Sequence, residues 1–147
     1  MVDKSLFKII CLCSLITGAV LGIFPLIPAL IGLAFTAVMF LAAPFVIIYL
    51  YKLHLIKELD VPQCLSIGGI TGFFAFLGFS VVYFPIASIL YLIFKIESFL
   101  WIKVIFTNFG FLFSMVILTA LLSGLMNMFS AFMTVYLYEY FKGKKEG

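Results

Sequence analysis

Three long stretches without a charged residue constrain the fold of this chain more than any other feature. They are residues 9–51, 61–94 and 104–138, which are 43, 34 and 35 residues long. About 20 apolar residues in a helix cross the roughly 30 Å hydrocarbon core of a bilayer, so each stretch can hold at least one span. Hydrophobic residues make up 66% of the chain and charged residues 10%, whereas about a quarter of a soluble domain is charged. The sequence therefore predicts an all-α integral membrane protein.

The first uncharged stretch is too long for one span. A single helix over it would be roughly 64 Å long, about twice the hydrocarbon thickness. Pro25 and Pro28 lie in its middle, and each lacks an N–H and disfavours helical geometry in the residue before it. We therefore expect a turn here, between a first helix over 6–24 and a second over 29–52. Pro44 is expected only to kink the second helix, because transmembrane helices tolerate proline.

The remaining stretches each predict one helix. A charged segment, residues 52–63, is expected to be a solvated loop. The third helix then covers 63–84, where Pro85 either ends it or kinks an extension to 94. The fourth covers 108–138, and residues 142–147 form a solvated tail. The expected fold is a four-transmembrane-helix bundle of two helical hairpins, in a single membrane domain over residues 1–147.

The segment between the third and fourth helices alternates charged and bulky apolar residues. It contains Lys95, Trp101 and Lys103, which is typical of an interfacial amphipathic segment. A five-span alternative would place both lysines and Glu97 inside the bilayer, at a cost of about 2.5–3.5 kcal/mol for each charge at mid-depth. We therefore favour four spans.

The distribution of lysine predicts the orientation. With four spans, seven lysines lie on one side and only Lys95 and Lys103 on the other. Because cytoplasmic loops are rich in basic residues, both termini are expected in the cytoplasm. The expected location is the cell membrane if the source is prokaryotic. The last residues, "KKEG", resemble a dilysine retrieval signal, so the endoplasmic reticulum is the alternative if the source is eukaryotic.

Small and weakly polar residues form a stripe on each predicted helix. Such residues allow close packing and hydrogen bonds between helices in lipid. We take them as helix-packing residues, with lining of a pore as the alternative; the principal ones are Gly18, Gly22, Gly68, Gly72, Ser123, Asn127, Ser130 and Thr134. The glycine pairs are expected to serve packing within the chain rather than dimerisation. Both pairs lie in a G-x-x-x-G-x-F pattern, which leaves open an internal duplication.

No pattern in the chain predicts catalysis, a metal site, a cofactor or nucleic-acid binding. Cys11 and Cys13 point about 200° apart on a helix and cannot hold one ion together, and we interpret them and Cys64 as small apolar side chains. His54 is expected to be solvated. The hypothesis from sequence is a protein without catalytic activity of its own, acting as a structural, assembly or accessory component of a membrane complex. Its expected partners are the lipid bilayer and a membrane protein or a second copy of the chain. A small oligomeric channel or carrier, with a path along the polar stripe of the fourth helix, is the alternative.

Overall fold

The computed structural model describes residues 4–56, 60–94 and 108–143. The described residues are helical apart from turns and short connections, which confirms the all-α class predicted from the sequence. The α-helices are α1 (Lys4–Leu21), α2 (Ile31–Phe40), α3 (Ala42–Lys52), α4 (Val61–Phe94) and α5 (Phe109–Gly143).

The chain leaves α1 through two short 3₁₀ turns. These turns are Phe24–Leu26 and Pro28–Leu30, so each contains one of the prolines from which the turn was predicted. The predicted helix bounds of 6–24 and 29–52 are corrected to Lys4–Leu21 and to a start at Ile31. The α-helix ends early because Pro25 and Pro28 have no N–H to bond to the preceding turn, and 3₁₀ bonds take the place of α-helical ones.

The second predicted helix is broken rather than merely kinked. It consists of α2 and α3, which meet at Leu41 with a bend of 55°. Pro44 lies in the first turn of α3, where a missing N–H is tolerated, but its ring clashes with the carbonyl four residues earlier, that of Phe40. Phe40 is the last residue of α2, so its carbonyl has no helical donor four residues later, at the position of the break.

Pro85 does not end the third predicted helix. α4 continues through it to Phe94, so the extension to 94 is correct and the end at 84 is not. α5 begins at Phe109 and continues to Gly143, five residues beyond the predicted end and into the predicted tail. The segment assigned to the interface, with Lys95, Trp101 and Lys103, lies outside the described residues.

Contacts between the helices define their relative directions. Gly18 of α1 and Gly22, just after its end, lie against Ala75 and Phe79 of α4 in the same order, so α1 and α4 run in the same direction. The contacts between α4 and α5 run in opposite order. Gly68 lies against Asn127 and Met128, whereas Gly72, further along α4, lies against Ser123. These two helices are therefore antiparallel.

The broken helix lies alongside α5 from Val38 to Tyr51. Val38 of α2 contacts Ser123 and Ala43 of α3 contacts Asn127. Further along, the ring of Tyr51 stacks on that of Tyr138 at a centroid distance of 4.4 Å. Both series of residues ascend, so α2 and α3 together run in the direction of α5.

Two apolar clusters fill the interior, one around α3 and one around α2. The first contains Ile47 and Leu50 with Ile67 of α4; the second contains Val38 with Phe76 and Phe79 of α4. Among the described residues, α1 extended through its first 3₁₀ turn, α4 and α5 are each long and apolar enough to cross a membrane. The bent α2–α3 pair adds a fourth when it is counted as one span.

Candidate functional site

The polar centre of the bundle is Asn127, whose side chain is fully buried between the two apolar clusters. Its Oδ1 accepts a hydrogen bond of 2.8 Å from the backbone N–H of Ala43. Its Nδ2 donates to the carbonyl oxygens of Val38 and Met39, each at 2.9 Å. One carboxamide on α5 therefore bonds to the last turn of α2 and to the first turn of α3.

These partners fix which way the carboxamide points. A rotation by 180° would place the NH₂ group against the Ala43 N–H and the oxygen against two carbonyls, which are unfavourable pairings. The two amide hydrogens are shared with a third acceptor, the carbonyl of Ser123, also at 2.9 Å. Both hydrogens and the oxygen of Asn127 are thus engaged by the backbone of the protein itself.

Ser123 lies one turn before Asn127 and extends the contact to α4. Its hydroxyl donates to the carbonyl oxygen of Gly72 at 3.0 Å, with the Val38 oxygen further away at 3.4 Å. The side chain is fully buried. Ser123 and Asn127 therefore join α5 to α4 and to both halves of the broken helix.

Ser130 and Thr134, the other polar residues of the predicted stripe, lie at the edge of the bundle. Both are half-buried. The Thr134 hydroxyl donates to the carbonyl of Ser130, four residues earlier on its own helix, at 2.6 Å. Ser14 and Thr17 of α1 bond in the same intrahelical way. These hydroxyls are satisfied locally, in contrast to the interhelical bonds of Ser123 and Asn127.

Gly68 and Gly72 allow α5 to approach α4 at the level of this centre. A Cβ built on Gly72 would lie 2.4 Å from the backbone oxygen of Ser123, and one on Gly68 would lie 2.6 Å from that of Asn127. Real Cβ atoms do not approach other atoms so closely. The hydrogen bonds of Ser123 and Asn127 thus form where the two backbones are in direct contact.

Gly18 and Gly22 serve a different contact, between α1 and α4. A Cβ on Gly18 would lie 1.8 Å from the backbone oxygen of Ala75, and one on Gly22 would lie 2.8 Å from that of Phe79. The two glycine pairs of the G-x-x-x-G-x-F pattern therefore face different helices, α4 and α5.

Two buried hydroxyls in α4 have no hydrogen-bond partner within the part of the chain that the structure describes. They belong to Thr71, which is fully buried, and Ser80, which is 5% exposed. An unbonded buried hydroxyl is unfavourable by about 1–3 kcal/mol. Both lie on the helix that contacts all the others, and sequence analysis did not single out either as unsatisfied.

Sequence analysis also missed the backbone groups that form part of the site. It identified Ser123 and Asn127 but not the backbone groups of Val38, Met39 and Ala43 to which Asn127 bonds. Pro44 was the available signal, because a proline in a helix leaves backbone groups unpaired and a buried amide can bond to them. To connect Pro44 with Asn127, it is necessary to know that α5 lies beside the break.

The described residues contain no group of three histidine, cysteine or acidic side chains that could hold a metal ion. Apolar grooves do occur on the outer surface. A groove of about 500 Å³ between α1 and α3 is lined by Ile16, Val20 and Phe45, and one of about 630 Å³ between α4 and α5 is lined by Gly69, Phe73 and Gly124. Asn127 lines neither groove.

Comparison of the chain with protein-family models, with curated proteins and with solved structures finds no match.

Proposed function

We propose that the chain crosses the membrane four times, as two helical hairpins with both termini in the cytoplasm. The path of the broken helix supports this topology. A re-entrant loop would turn back at Leu41, whereas α2 and α3 follow α5 in one direction past Ser123, Asn127 and Tyr138. A bend of 55° changes the course of a span without reversing it. The excess of lysine on the side that carries both termini supports a cytoplasmic location for that side.

Cysteine accessibility in intact cells or sealed vesicles tests this topology. In a background with alanine at Cys11, Cys13 and Cys64, single cysteines are placed at residues 3, 58, 99 and 145. A membrane-impermeant maleimide should label residue 99 from the outside and the other three only after permeabilisation. Labelling of residues 3 and 145 from opposite sides would overturn the four-span topology.

We further propose that the protein acts as a structural, assembly or accessory component of a membrane complex, without catalytic activity of its own. The observation that supports this is the complete engagement of Asn127 and Ser123 by the backbone of the same chain. The side chains of Asn127 and Ser123 thereby stabilise the fold and are not available to a solute. The apolar outer faces of the helices are then the surface through which the protein binds its partner. A membrane protein is the kind of partner that binds such a surface.

Site-specific photo-crosslinking in the membrane tests the accessory function. The photoreactive residue replaces Leu92 or Phe129, which are 75% and 72% exposed, and, as a control, the buried Ala120. We expect a reproducible adduct to one protein from a defined outer face and none from position 120. If scanning the exposed positions of every helix gave no protein adduct, and the protein were isolated alone in mild detergent, the accessory function would be rejected.

A small channel or carrier is the second candidate, and the broken helix is the observation that favours it. Interrupted transmembrane helices bind substrates and ions in many transporters, through the backbone groups freed at the break. Here the path would follow Ser123, Asn127, Ser130 and Thr134 along α5. Against this candidate, the carbonyls of Val38 and Met39 already accept hydrogen bonds from Asn127.

Flux measurements on reconstituted liposomes separate the two candidates. A channel or carrier through this stripe should support ion or solute flux that Asn127→Leu abolishes and Phe129→Leu, on the outer face, leaves unchanged. The accessory function predicts no flux above that of empty liposomes for either variant or for the unmodified protein.

A further inference from the structure

At the break in the second span, the Asn127 side chain occupies the place of one helical hydrogen bond. In an uninterrupted helix, the N–H of Ala43 would donate to the carbonyl of Met39, four residues earlier. Instead, that N–H donates to Asn127 Oδ1 at 2.8 Å, and Asn127 Nδ2 donates to Met39 at 2.9 Å. The carboxamide is inserted between the donor and the acceptor of one backbone bond.

The helical hydrogen bonds whose donors lie two residues before and two residues after Ala43 are intact. Leu41 N–H donates to the Ala37 carbonyl at 2.8 Å, and Phe45 N–H donates to the Leu41 carbonyl at 3.1 Å. Pro44 has no N–H to donate. The break is therefore short, and the Asn127 side chain, which comes from another helix, bonds to the Ala43 donor and the Met39 acceptor within it.

We propose that Asn127 holds the second span in its bent form and that withdrawal of the carboxamide allows the span to straighten. Without it, Ala43 N–H and Met39 C=O would lose these bonds, and in a regular helix each is the hydrogen-bond partner of the other. Re-forming their bond extends the regular helix across Leu41. The position of α2 relative to the bundle is thereby coupled to the position of α5. This inference goes beyond the function proposed above and is independent of it.

Straightening would move α2 by a distance that spin labels can measure. Leu33 lies eight residues before the break, or about 12 Å along the helix. Removing a bend of 55° swings that point by roughly 11 Å relative to α3. Leu33 is exposed, as are Val81 on α4 and Leu118 on α5, so all three accept a label without disturbing the interior.

The experiment measures distances from a label at position 33 to labels at positions 81 and 118, in the cysteine-free background in detergent or lipid nanodiscs. We expect Asn127→Leu to shift at least one distance by 5 Å or more. Thr134→Val is the matched control, because it removes a hydroxyl from the same helix without affecting the break, and it should leave both distances unchanged. A folded Asn127→Leu protein with unchanged distances would overturn the proposal.

Pro44→Ala provides a second test that keeps the carboxamide in place. If Asn127 holds the bend, this variant stays bent and its distances match those of the unmodified protein. A shift in Pro44→Ala alone would assign the bend to the proline and overturn the proposal. This test also decides the matter if Asn127→Leu does not fold.

Discussion

At the scale of single residues, the packing of this protein depends on glycines, which have no side chain, as much as on larger residues. Gly18 and Gly32 both lie in membrane helices, but the environments of their Cα atoms differ. A Cβ on Gly18 would overlap the backbone of Ala75, whereas one on Gly32 would have no neighbour within 4 Å. The sequence alone does not distinguish these two positions.

Replacing Gly18 by alanine should therefore destabilise the protein, while the same change at Gly32 should not. Overpacking usually costs about 1–3 kcal/mol, and at Gly18 the obstacle is backbone that cannot rotate away. At Gly32, alanine should be neutral or stabilise the helix by up to about 1 kcal/mol. Unfolding in mixed detergent micelles, followed by circular dichroism, measures both. Equal stability of the two variants would contradict this account of α1 and α4.

His54 has a left-handed backbone conformation, with a φ of 54°. It follows the last residues of α3, and the hydrogen bonds there, His54 N–H to Tyr51 and Leu55 N–H to Leu50, form a Schellman motif. Glycine is the residue best suited to this position, because a Cβ makes the left-handed conformation unfavourable by about 1–2 kcal/mol. Sequence analysis placed His54 in a solvated loop and had no signal for its backbone conformation.

His54→Gly should stabilise the protein by roughly 0.5–1 kcal/mol, since relief of strain exceeds the entropy that glycine adds to the unfolded chain. Leu53→Gly is the matched control. Leu53 has a φ of −81°, so glycine relieves nothing there and should be destabilising. The same unfolding measurement applies, and a loss of stability in His54→Gly would mean that the His54 side chain makes a compensating contribution.

At the scale of helices, the sequence predicted which stretches are helical more reliably than where the helices end or break. Hydropathy and proline placement predicted helices in all three uncharged stretches. They predicted only a kink at Pro44, where the structure has a break, and they left open whether the helix at Pro85 ends or continues, as α4 does. Both prolines lie in apolar sequence, but their surroundings differ. Asn127 bonds to backbone groups near Pro44 that lack their helical partners, whereas the Pro85 side chain is exposed on the outer face.

Pro85→Ala should preserve α4 and increase its stability. The change restores an N–H that can bond to the carbonyl of Val81, and proline inside a helix is unfavourable by up to about 3 kcal/mol relative to alanine. Pro62→Ala is the control, because Pro62 lies in the first turn of α4, where its missing N–H has no helical partner, and should be nearly neutral. A Pro85→Ala protein less stable than the unmodified one would indicate that the proline is needed for packing.

At the scale of the whole molecule, the longest helices exceed the thickness of the membrane. α5 has 35 residues, which corresponds to about 52 Å. Fitting that length within about 30 Å of hydrocarbon would require a tilt of roughly 55°, beyond the usual range of about 0–40°. Part of α5 is therefore expected to project into the headgroup region or beyond. Its last turns carry exposed Tyr136, Tyr138 and Tyr140, residues that favour the interface.

Accessibility along α5 tests this projection. In the cysteine-free background, Tyr140→Cys should react with a water-soluble maleimide in open membranes, whereas Leu122→Cys should not. Both positions are exposed on the isolated bundle, so the lipid alone accounts for the difference. Protection of position 140 would mean that the C-terminal turns of α5 are embedded.

The periodicity of α5 predicted which residues share a face, but not what that face would contact. Polar and small residues recurring on one side of a helix indicate an interface regardless of the partner. The partner in this case is backbone of a helix some 85 residues earlier in the chain, and only the folded structure brings Asn127 to it.

The contact at Gly18 also limits how this sequence can vary. Glycine is the only amino acid without a Cβ, so every missense codon at position 18 introduces an atom into space that the backbone of Ala75 occupies. A saturation mutagenesis library should therefore recover glycine alone at this position and many residues at position 32.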